Sequence, residues 1–251
     1  MSLFQSIHVR KSQGSQFIPN PRTAQPPGFR GLPVLRDAPC REHCRSCADA
    51  CPSEAVQLAP LQIDLGRCVL CGDCESSCPE QIISFTNQVQ LATTERDHLM
   101  LSATRPAPDP VKVSAELHRL FGRSMKLRSV SAGGCNGCEL EVNASSNVNF
   151  DLGRYGIDVV ASPRHADALV LTGPITRNMA QALELCWLAM PEPRIVIAVG
   201  ACAISGGVFA GSEALDRSFL ERFKPSLYIP GCPAHPLTLV CGILDLLGIV
   251  S

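Results

Sequence analysis

The sequence contains no run of 18 consecutive apolar residues, about the length that a membrane-spanning helix requires. Its first residues, MSLFQSIHVRKSQGSQF, include neither an apolar segment of signal-peptide length nor a pair of adjacent arginines. The net charge is only -1 and no basic stripe stands out, which argues against a nucleic-acid partner. We therefore expect a cytoplasmic protein that does not bind nucleic acid.

Cysteine, in contrast, is plentiful: the 251 residues include 14 of them. In a reducing compartment such a number indicates metal binding rather than disulfides. Ten of the cysteines occur in C-x2-C or C-x3-C runs, whereas four are isolated at Cys186, Cys202, Cys232 and Cys241.

The most specific motif is a run of four cysteines, Cys68-x2-Cys71-x2-Cys74-x3-Cys78, followed by Pro79. This spacing is typical of bacterial ferredoxins, in which three cysteines hold one [4Fe–4S] cube and the fourth ligates the neighbouring cube. A preceding run repeats the pattern with one extra residue in its first gap. The doubled pattern predicts two clusters with crossed ligation, one held by Cys40, Cys44, Cys47 and Cys78, the other by Cys68, Cys71, Cys74 and Cys51.

Two alternatives to this assignment remain open at the level of sequence. Zinc sites also use C-x2-C pairs, but they join two such pairs across a long loop, and four closely spaced cysteines followed by proline favour iron. His43 lies in the longer first gap and is an alternative ligand to Cys40. We prefer Cys40, because the doubled pattern supplies enough cysteines without the histidine.

The second half of the chain alternates short apolar strands with helices, which predicts a parallel sheet covered on both faces. Ligands collect at the carboxyl ends of the strands in such a sheet. Cys135 and Cys138 follow the first predicted strand, Cys202 follows RIVIAVG, and Cys232 follows SLYIPG. We therefore expect three strand ends to bring four cysteines to one region, which is the ligand count of one further [4Fe–4S] cluster.

Other residues near these cysteines are candidates for tuning the cluster. Glu141 would couple electron uptake to proton uptake, Arg164 would offset negative charge, and His165 would donate a hydrogen bond; a solvated loop is an equally good interpretation of His165. Glu139 fits a solvated helix face about as well as a tuning role. We interpret Cys186 and Cys241 as small buried hydrophobic residues.

The composition predicts four segments: an extended arm over 1–36, a ferredoxin-like α+β module with two [4Fe–4S] clusters over 37–101, a proline-rich linker over 102–112, and a flavodoxin-like α/β domain with a parallel sheet over 113–251. Three [4Fe–4S] clusters in one chain predict electron transfer. A rival function of a different class is a zinc-stabilised scaffold without redox activity.

Four stretches of the second half, GGCNGCELE, SPRHADALVLTGPITRNM, GACAISGGVF and IPGCPAHP, resemble the small subunit of energy-converting [NiFe] hydrogenases of the formate-hydrogenlyase type. They resemble the cluster-bearing B-type subunit of respiratory complex I more distantly. This resemblance covers about 126–250. It implies that the cysteines at 135, 138, 202 and 232 ligate the cluster nearest the active site, which a separate large subunit carries.

The first half, with PPGFRGLPVL and both cysteine runs, resembles the two-cluster ferredoxin subunit of the same complexes over about 19–101, so that the chain looks like a fusion. The resemblance implies a large hydrogenase-like subunit, membrane-arm subunits and further electron-transfer subunits as partners, and a location on the cytoplasmic face of the inner membrane. The segment AGSEALDRSFLERFKPS departs from the family pattern, which usually ends there in a VPVD-like strand entry. The rival from the same relatives is a complex-I-like quinone or ferredoxin oxidoreductase.

Overall fold

The computed structural model describes residues 3–14, 16–122 and 124–249; the remaining residues of the predicted arm and α/β domain lie outside the described ranges. The first half contains two small antiparallel sheets. One pairs β1 with β4, and the other has the order β2-β3-β5. The elements are α1 (Leu3–Gln13), β1 (Pro33–Leu35), α2 (Ser46–Asp49), β2 (Val56–Leu58), β3 (Leu61–Asp64), α3 (Asp73–Ser76), β4 (Ile83–Phe85) and β5 (Met100–Leu101).

The second half forms a five-stranded parallel sheet with the order β10-β9-β8-β6-β7. This is the strand order of the flavodoxin-like doubly wound fold, so the predicted fold class is confirmed. Its elements are α4 (Ala115–Phe121), β6 (Met125–Ser131), α5 (Gly137–Ala144), β7 (Ile157–Val159), β8 (Ala168–Thr172), α6 (Arg177–Leu188), β9 (Ile195–Val199), α7 (Ala201–Ser205), α8 (Ser218–Arg222), β10 (Leu227–Ile229) and α9 (Pro236–Leu247).

The burial of the strands β8 and β9 is typical of a parallel sheet that is covered on both faces. All five residues of each strand are buried, as expected when helices cover both faces. Helix α9 begins with Pro236, whose missing N–H costs nothing at that position, and ends at Gly248 in a left-handed conformation. Nearly all of α9 is buried against the sheet.

The two halves share one core. A single cluster of buried apolar side chains includes Leu65 and Leu99 from the first half together with Leu171 and Trp187 from the second. The backbone of Thr93 exchanges hydrogen bonds of 3.1 and 2.8 Å with that of Tyr228 on β10. We call this contact between the halves the joint; it includes Leu65, Leu99 and Thr93 of the first half and Leu171, Trp187 and Tyr228 of the second. Because it includes backbone pairing as well as a shared apolar core, the halves pack as one unit.

Three segments differ from the sequence-based expectation. Residues 3–13, in the segment predicted as extended, form α1, and β1 pairs with β4 inside the ferredoxin-like half. The sequence QVQLATT over 88–94 is typical of a strand, but these residues form no named strand and pair with β10 only through the Thr93–Tyr228 bridge. The sequence EALDRSFLERF over 213–223 is typical of a helix, but only α8 is helical there, since the backbone of Ala214 and Asp216 bonds to that of Arg177 and Ile175.

No helix among the described residues is long and apolar enough to cross a membrane.

Candidate metal centres

The eight cysteines of the first half fall into two groups. The pKa of Cys47 is raised by burial and then by the nearby charges of Cys78 and Cys40. The pKa of Cys74 is raised to about 12 by burial and then by Cys51 and Cys71. The fold therefore carries Cys78 back to the first run and Cys51 forward to the second. We call Cys40, Cys44, Cys47 and Cys78 the outer site, and Cys51, Cys68, Cys71 and Cys74 the inner site.

Backbone N–H groups are directed at the sulfur atoms of both sites. Ala55 N donates to Cys51 Sγ at 3.2 Å and Ile82 N donates to Cys78 Sγ at 3.3 Å. Within the inner site, Leu70 N donates to Cys68 Sγ at 3.4 Å. Such donors favour negative charge on sulfur and tune the potential of a bound iron–sulfur cluster, so these thiols fit that group.

Four of the six cysteines of the second half line one cavity of about 200 Å³ at the carboxyl edge of the sheet. Cys135 precedes α5 and Cys138 lies in its first turn, Cys202 lies on α7 after β9, and Cys232 follows β10. We call these four residues the sheet-edge site. Gly200 has φ +88°, and a side-chain carbon there would lie 2.5 Å from Cys138 Sγ. Only glycine at this position leaves room for that thiol.

The sheet-edge thiols also act on one another. Burial raises the pKa of Cys138 to about 12, although a hydrogen bond from the Ala234 backbone opposes this. Burial and then the charges of Cys232 and Cys135 raise the pKa of Cys202 to about 11. Converging thiols that resist ionisation by themselves fit a metal cluster, because the positive charge of the iron stabilises the thiolates.

A site for a single metal ion is a different arrangement from these three sets. No group of three or more His, Cys, Asp or Glu side chains in the described part of the chain is arranged to hold one metal ion.

The acidic residues of α5 differ in their relation to the sheet-edge site. Glu139 lines the cavity, and its Oε1 accepts a hydrogen bond of 2.6 Å from Thr172 Oγ1. Its pKa is lowered on balance: burial, the largest influence, raises it, but hydrogen bonds from Ser131 and Thr172 outweigh that effect. Glu141 does not line the cavity, and burial raises its pKa. The structure therefore brings Glu139, rather than Glu141, to the site.

Arg164 and His165 lie away from this cavity. Both are exposed in a 3₁₀ turn, Pro163–His165, that leads into β8. The first residue of β8, Ala168, pairs with Leu127, four residues or about 13 Å before the carboxyl end of β6. The sequence predicts that Arg164 and His165 lie near the sheet-edge cysteines, but the structure places their loop elsewhere. The loop after β7 crosses to β8 at the opposite end of β6.

The two cysteines outside the three sites pack in or against the core, and one arginine lies beside the sheet-edge site. Cys241 is 1% exposed within α9, as expected, and Cys186 is partly buried against the core. Arg217, which sequence reasoning missed, contacts the backbone of α7 beside Cys202. The position of Arg217 depends on how the segment AGSEALDRSFLERFKPS folds back onto α7, and no local sequence pattern predicts that contact.

Comparison with known proteins gives two family matches. The family described as "NADH ubiquinone oxidoreductase, 20 Kd subunit" matches residues 135–246, which include all four sheet-edge cysteines. A "4Fe-4S binding domain" matches residues 61–83. This second match includes the run Cys68–Cys78 but not the run Cys40–Cys51.

Similar curated proteins come from hydrogenases and from respiratory oxidoreductases. A probable membrane-bound hydrogenase subunit of Pyrococcus furiosus is 39% identical over 52% of this chain and 78% of its own length. Formate hydrogenlyase subunit 7 of Escherichia coli is 40% identical over 55% of this chain and 54% of its own length. A subunit of the NADH-quinone oxidoreductase of Citrifermentans bemidjiense is 40% identical over 43% of this chain and 64% of its own length. The chain thus spans less than two thirds of the latter two relatives.

Proposed function

The chain belongs to the NADH ubiquinone oxidoreductase 20 Kd subunit family, and we propose that it relays electrons through three [4Fe–4S] clusters to or from a [NiFe]-hydrogenase-like large subunit. The outer, inner and sheet-edge sites are the three ligand sets of this proposal. A [4Fe–4S] cluster bound at each site supplies one-electron chemistry. The chain's own residues fix the order, the spacing and the exposure of the sites.

The order of the sites is the observation that carries the proposal. Cys47 of the outer site is close enough to Cys74 of the inner site to raise its pKa. At the joint, Gly66, two residues before Cys68, packs against Ile204, two residues after Cys202: a methyl group on Gly66 would lie 2.8 Å from Ile204 Cγ2. The inner site therefore neighbours the outer site, and the turn before Cys68 packs against α7, the helix that carries Cys202, which supports a relay in this order.

The burial of the cysteines supports the same order. Cys68 and Cys74 of the inner site are buried. Cys40 of the outer site and both Cys135 and Cys232 of the sheet-edge site are exposed. A relay with a buried middle and two exposed ends can exchange electrons with partners at each end while water is kept from the centre.

The sheet-edge site is the proposed contact with the large subunit. Leu140 follows Cys138 on α5, and Val208 and Phe209 follow Cys202; all three side chains are exposed. Cys138 and Cys202 are partly exposed, and Cys135 and Cys232 of the same site are exposed. Such apolar groups at an open site are typical of a surface covered in an assembly. Through this partner and membrane-arm subunits, the chain would lie at the cytoplasmic face of the inner membrane.

A nickel-free complex-I-like oxidoreductase is the second candidate, because the family match and the NADH-quinone oxidoreductase relative both carry that description. In that complex the same three sites would form the relay. The two candidates differ in the metal of the large subunit. Affinity purification of the tagged full chain, followed by nickel analysis of the large subunit that co-purifies, separates them.

Iron content tests the relay itself. The full chain, purified without oxygen, should hold roughly twelve irons and should bleach with dithionite. Cys202→Ala should remove about four irons, one cluster of three, whereas Cys186→Ala, the matched control, should retain all of them. A colourless protein loaded with zinc would favour the scaffold instead, and full iron retention by Cys202→Ala would contradict the sheet-edge assignment.

A further inference from the structure

Arg217 lies at the joint and is held by an unusual set of acceptors. Its guanidinium donates to the carbonyl oxygens of Pro174 and Cys202, both at 3.2 Å, of Ala203 at 2.8 Å and of Ile204 at 3.0 Å. Three of these carbonyls belong to α7, the helix that carries Cys202. The side chain is therefore fixed against the backbone of a sheet-edge ligand rather than free in solvent.

The charges around Arg217 do not balance. Its pKa is lowered by burial and then by the nearby Arg96, whereas the charge of Cys202 acts in the opposite direction. Arg96 is matched by Asp64, which it contacts through two hydrogen bonds of 2.8 and 2.6 Å. None of the ion pairs within the described ranges includes Arg217.

The carboxylate of Asp64 is therefore taken by Arg96, whereas the guanidinium of Arg217 has carbonyl acceptors and no ion pair among the described residues. Glu139, the carboxylate that lines the sheet-edge cavity, is bonded to Thr172. A partly buried cation without a matching anion is unfavourable, and carbonyl dipoles compensate for it only in part. The thiolates of the sheet-edge site would supply the missing negative charge. Because Arg217 is rigidly held next to Cys202, its charge acts on that site at a fixed position.

We propose that Arg217 is the counter-charge of the sheet-edge cluster and raises its reduction potential. This inference rests on the proposed function. A [4Fe–4S] cluster held by these four cysteines would take one electron from the inner site, or from dithionite in solution, and would gain one negative charge spread over its iron and sulfur atoms. A fixed cation beside Cys202 stabilises the more negative state, so the electron is drawn from the inner site towards the exposed end of the relay.

The inference also gives a role to the segment in which this chain departs from the usual family pattern. That segment, AGSEALDRSFLERFKPS, contains Arg217. Since residues 214–216 are held against 175–177, the arginine that follows them is directed back at α7. Arg217 is therefore a positioning residue that acts through the cluster and touches no substrate.

Substitutions that separate charge from hydrogen bonding test the inference in the full chain with its clusters. Arg217→Gln keeps N–H donors but removes the charge, and it should lower the reduction equilibrium constant of the sheet-edge cluster at least tenfold, or about 59 mV for one electron. Arg217→Lys keeps the charge and should restore most of that loss. Arg222→Gln, on the exposed Arg222–Glu184 pair of the neighbouring helix, is the control and should change nothing.

Redox titration followed by electron paramagnetic resonance measures each cluster, with iron counted in every sample. An unchanged sheet-edge potential in Arg217→Gln at full iron content would overturn the inference, and so would an equal shift of all three signals. Absence of the third signal from the unaltered chain, with only about eight irons, would instead refute the proposed function and the inference with it.

Arg217→His provides a second test within one protein if Arg217→Gln loses iron. The imidazole is charged below a pKa of about 6.5 and neutral above it. The sheet-edge potential should therefore rise as the pH falls through that range, whereas the parent chain should show no such step there. A pH dependence identical to that of the parent would overturn the inference.

Discussion

The outer and inner cysteine runs have nearly the same backbone but different surroundings. The residue before the second cysteine is left-handed in both, with φ +57° at His43 and +56° at Leu70. Three residues after the fourth cysteine, Glu54 and Gln81 have φ +51° and +49°. The repeat therefore determines the backbone, including the left-handed positions, irrespective of the side chains placed there.

Burial is where the two runs differ. The side chain of His43 is 91% exposed, whereas Leu70, its counterpart, is 8% exposed within the core. The second half of the chain covers the inner run through the joint and leaves the outer run open. The same motif thus makes a protected centre or an accessible one, according to what packs against it.

The extra residue of the outer run lies at the base of its first loop. Since His43 takes the position of Leu70, the additional length is accommodated at Arg41 and Glu42. Arg41 forms an ion pair with Glu80, which follows the fourth cysteine of the other run. The longer loop is therefore anchored at its base by Arg41 and exposed at its tip at His43.

The largest difference in iron content between the two runs should come from substituting their fourth cysteines, Cys51 and Cys78, each of which belongs to the site of the other run. Cys51→Ala should cost the inner cluster, because Cys51 lies with Cys71 and Cys74, and should lower the iron content from roughly twelve to roughly eight. Alkylation followed by peptide mass spectrometry should then label Cys68, Cys71 and Cys74 and leave Cys40, Cys44 and Cys47 protected.

Cys78→Ala is the reciprocal variant and should give the opposite labelling. If Cys51→Ala instead exposed Cys40, Cys44 and Cys47, ligation would follow the order of the chain and the crossed assignment would be wrong.

The regular spacing of the cysteines and of the apolar residues made the convergence of the cysteines and the parallel sheet predictable from sequence. The ferredoxin run has a fixed geometry, and strands such as RIVIAVG are apolar on both faces, as only a covered parallel sheet requires. The joint was not predictable in this way. Gly66 and Ile204, or Thr93 and Tyr228, are more than 130 residues apart, and no local period records that they meet.

Side chains beside the cysteines show the same limit. Glu139 and Glu141 are both close to Cys138 in sequence, yet the turn of α5 directs only Glu139 to the cavity. Arg164 follows a strand, as the cysteines do, but β7 is short and ends at the level of Leu127. Position along the chain therefore predicted which cysteines converge, whereas the side chains placed beside them depend on helix phase and strand length.

A smaller effect should come from the ion pair under the inner run. The carboxylate of Asp64 is 8% exposed, is bonded by Arg96, and accepts from Gly66 N at 2.9 Å, in the turn that leads to Cys68. Arg96→Met would leave this carboxylate without its cation and should cost about 3 kcal/mol, or about 6–12 °C in Tm. Thermal unfolding at one scan rate measures it.

Arg222→Met is the matched control. It breaks the exposed pair with Glu184, and exposed pairs contribute less than about 1 kcal/mol. Equal losses of Tm in the two variants would mean that the inner run gains no special support from Asp64.

The smallest effect should come from shortening the outer run to the length of the inner one. Deletion of Glu42 restores C-x2-C spacing and should draw the loop over the outer site. Less exposure to water disfavours added negative charge, so the potential of the outer cluster should fall, by less than about 59 mV, which is tenfold in the reduction equilibrium.

Glu42→Gln removes the same charge without shortening the loop and should raise that potential slightly. Redox titration of both variants, with iron counted, distinguishes loop length from charge. Equal shifts would assign the whole effect to charge, and loss of about four irons from the deletion would mean that Cys40 needs the longer loop to reach the outer site at all.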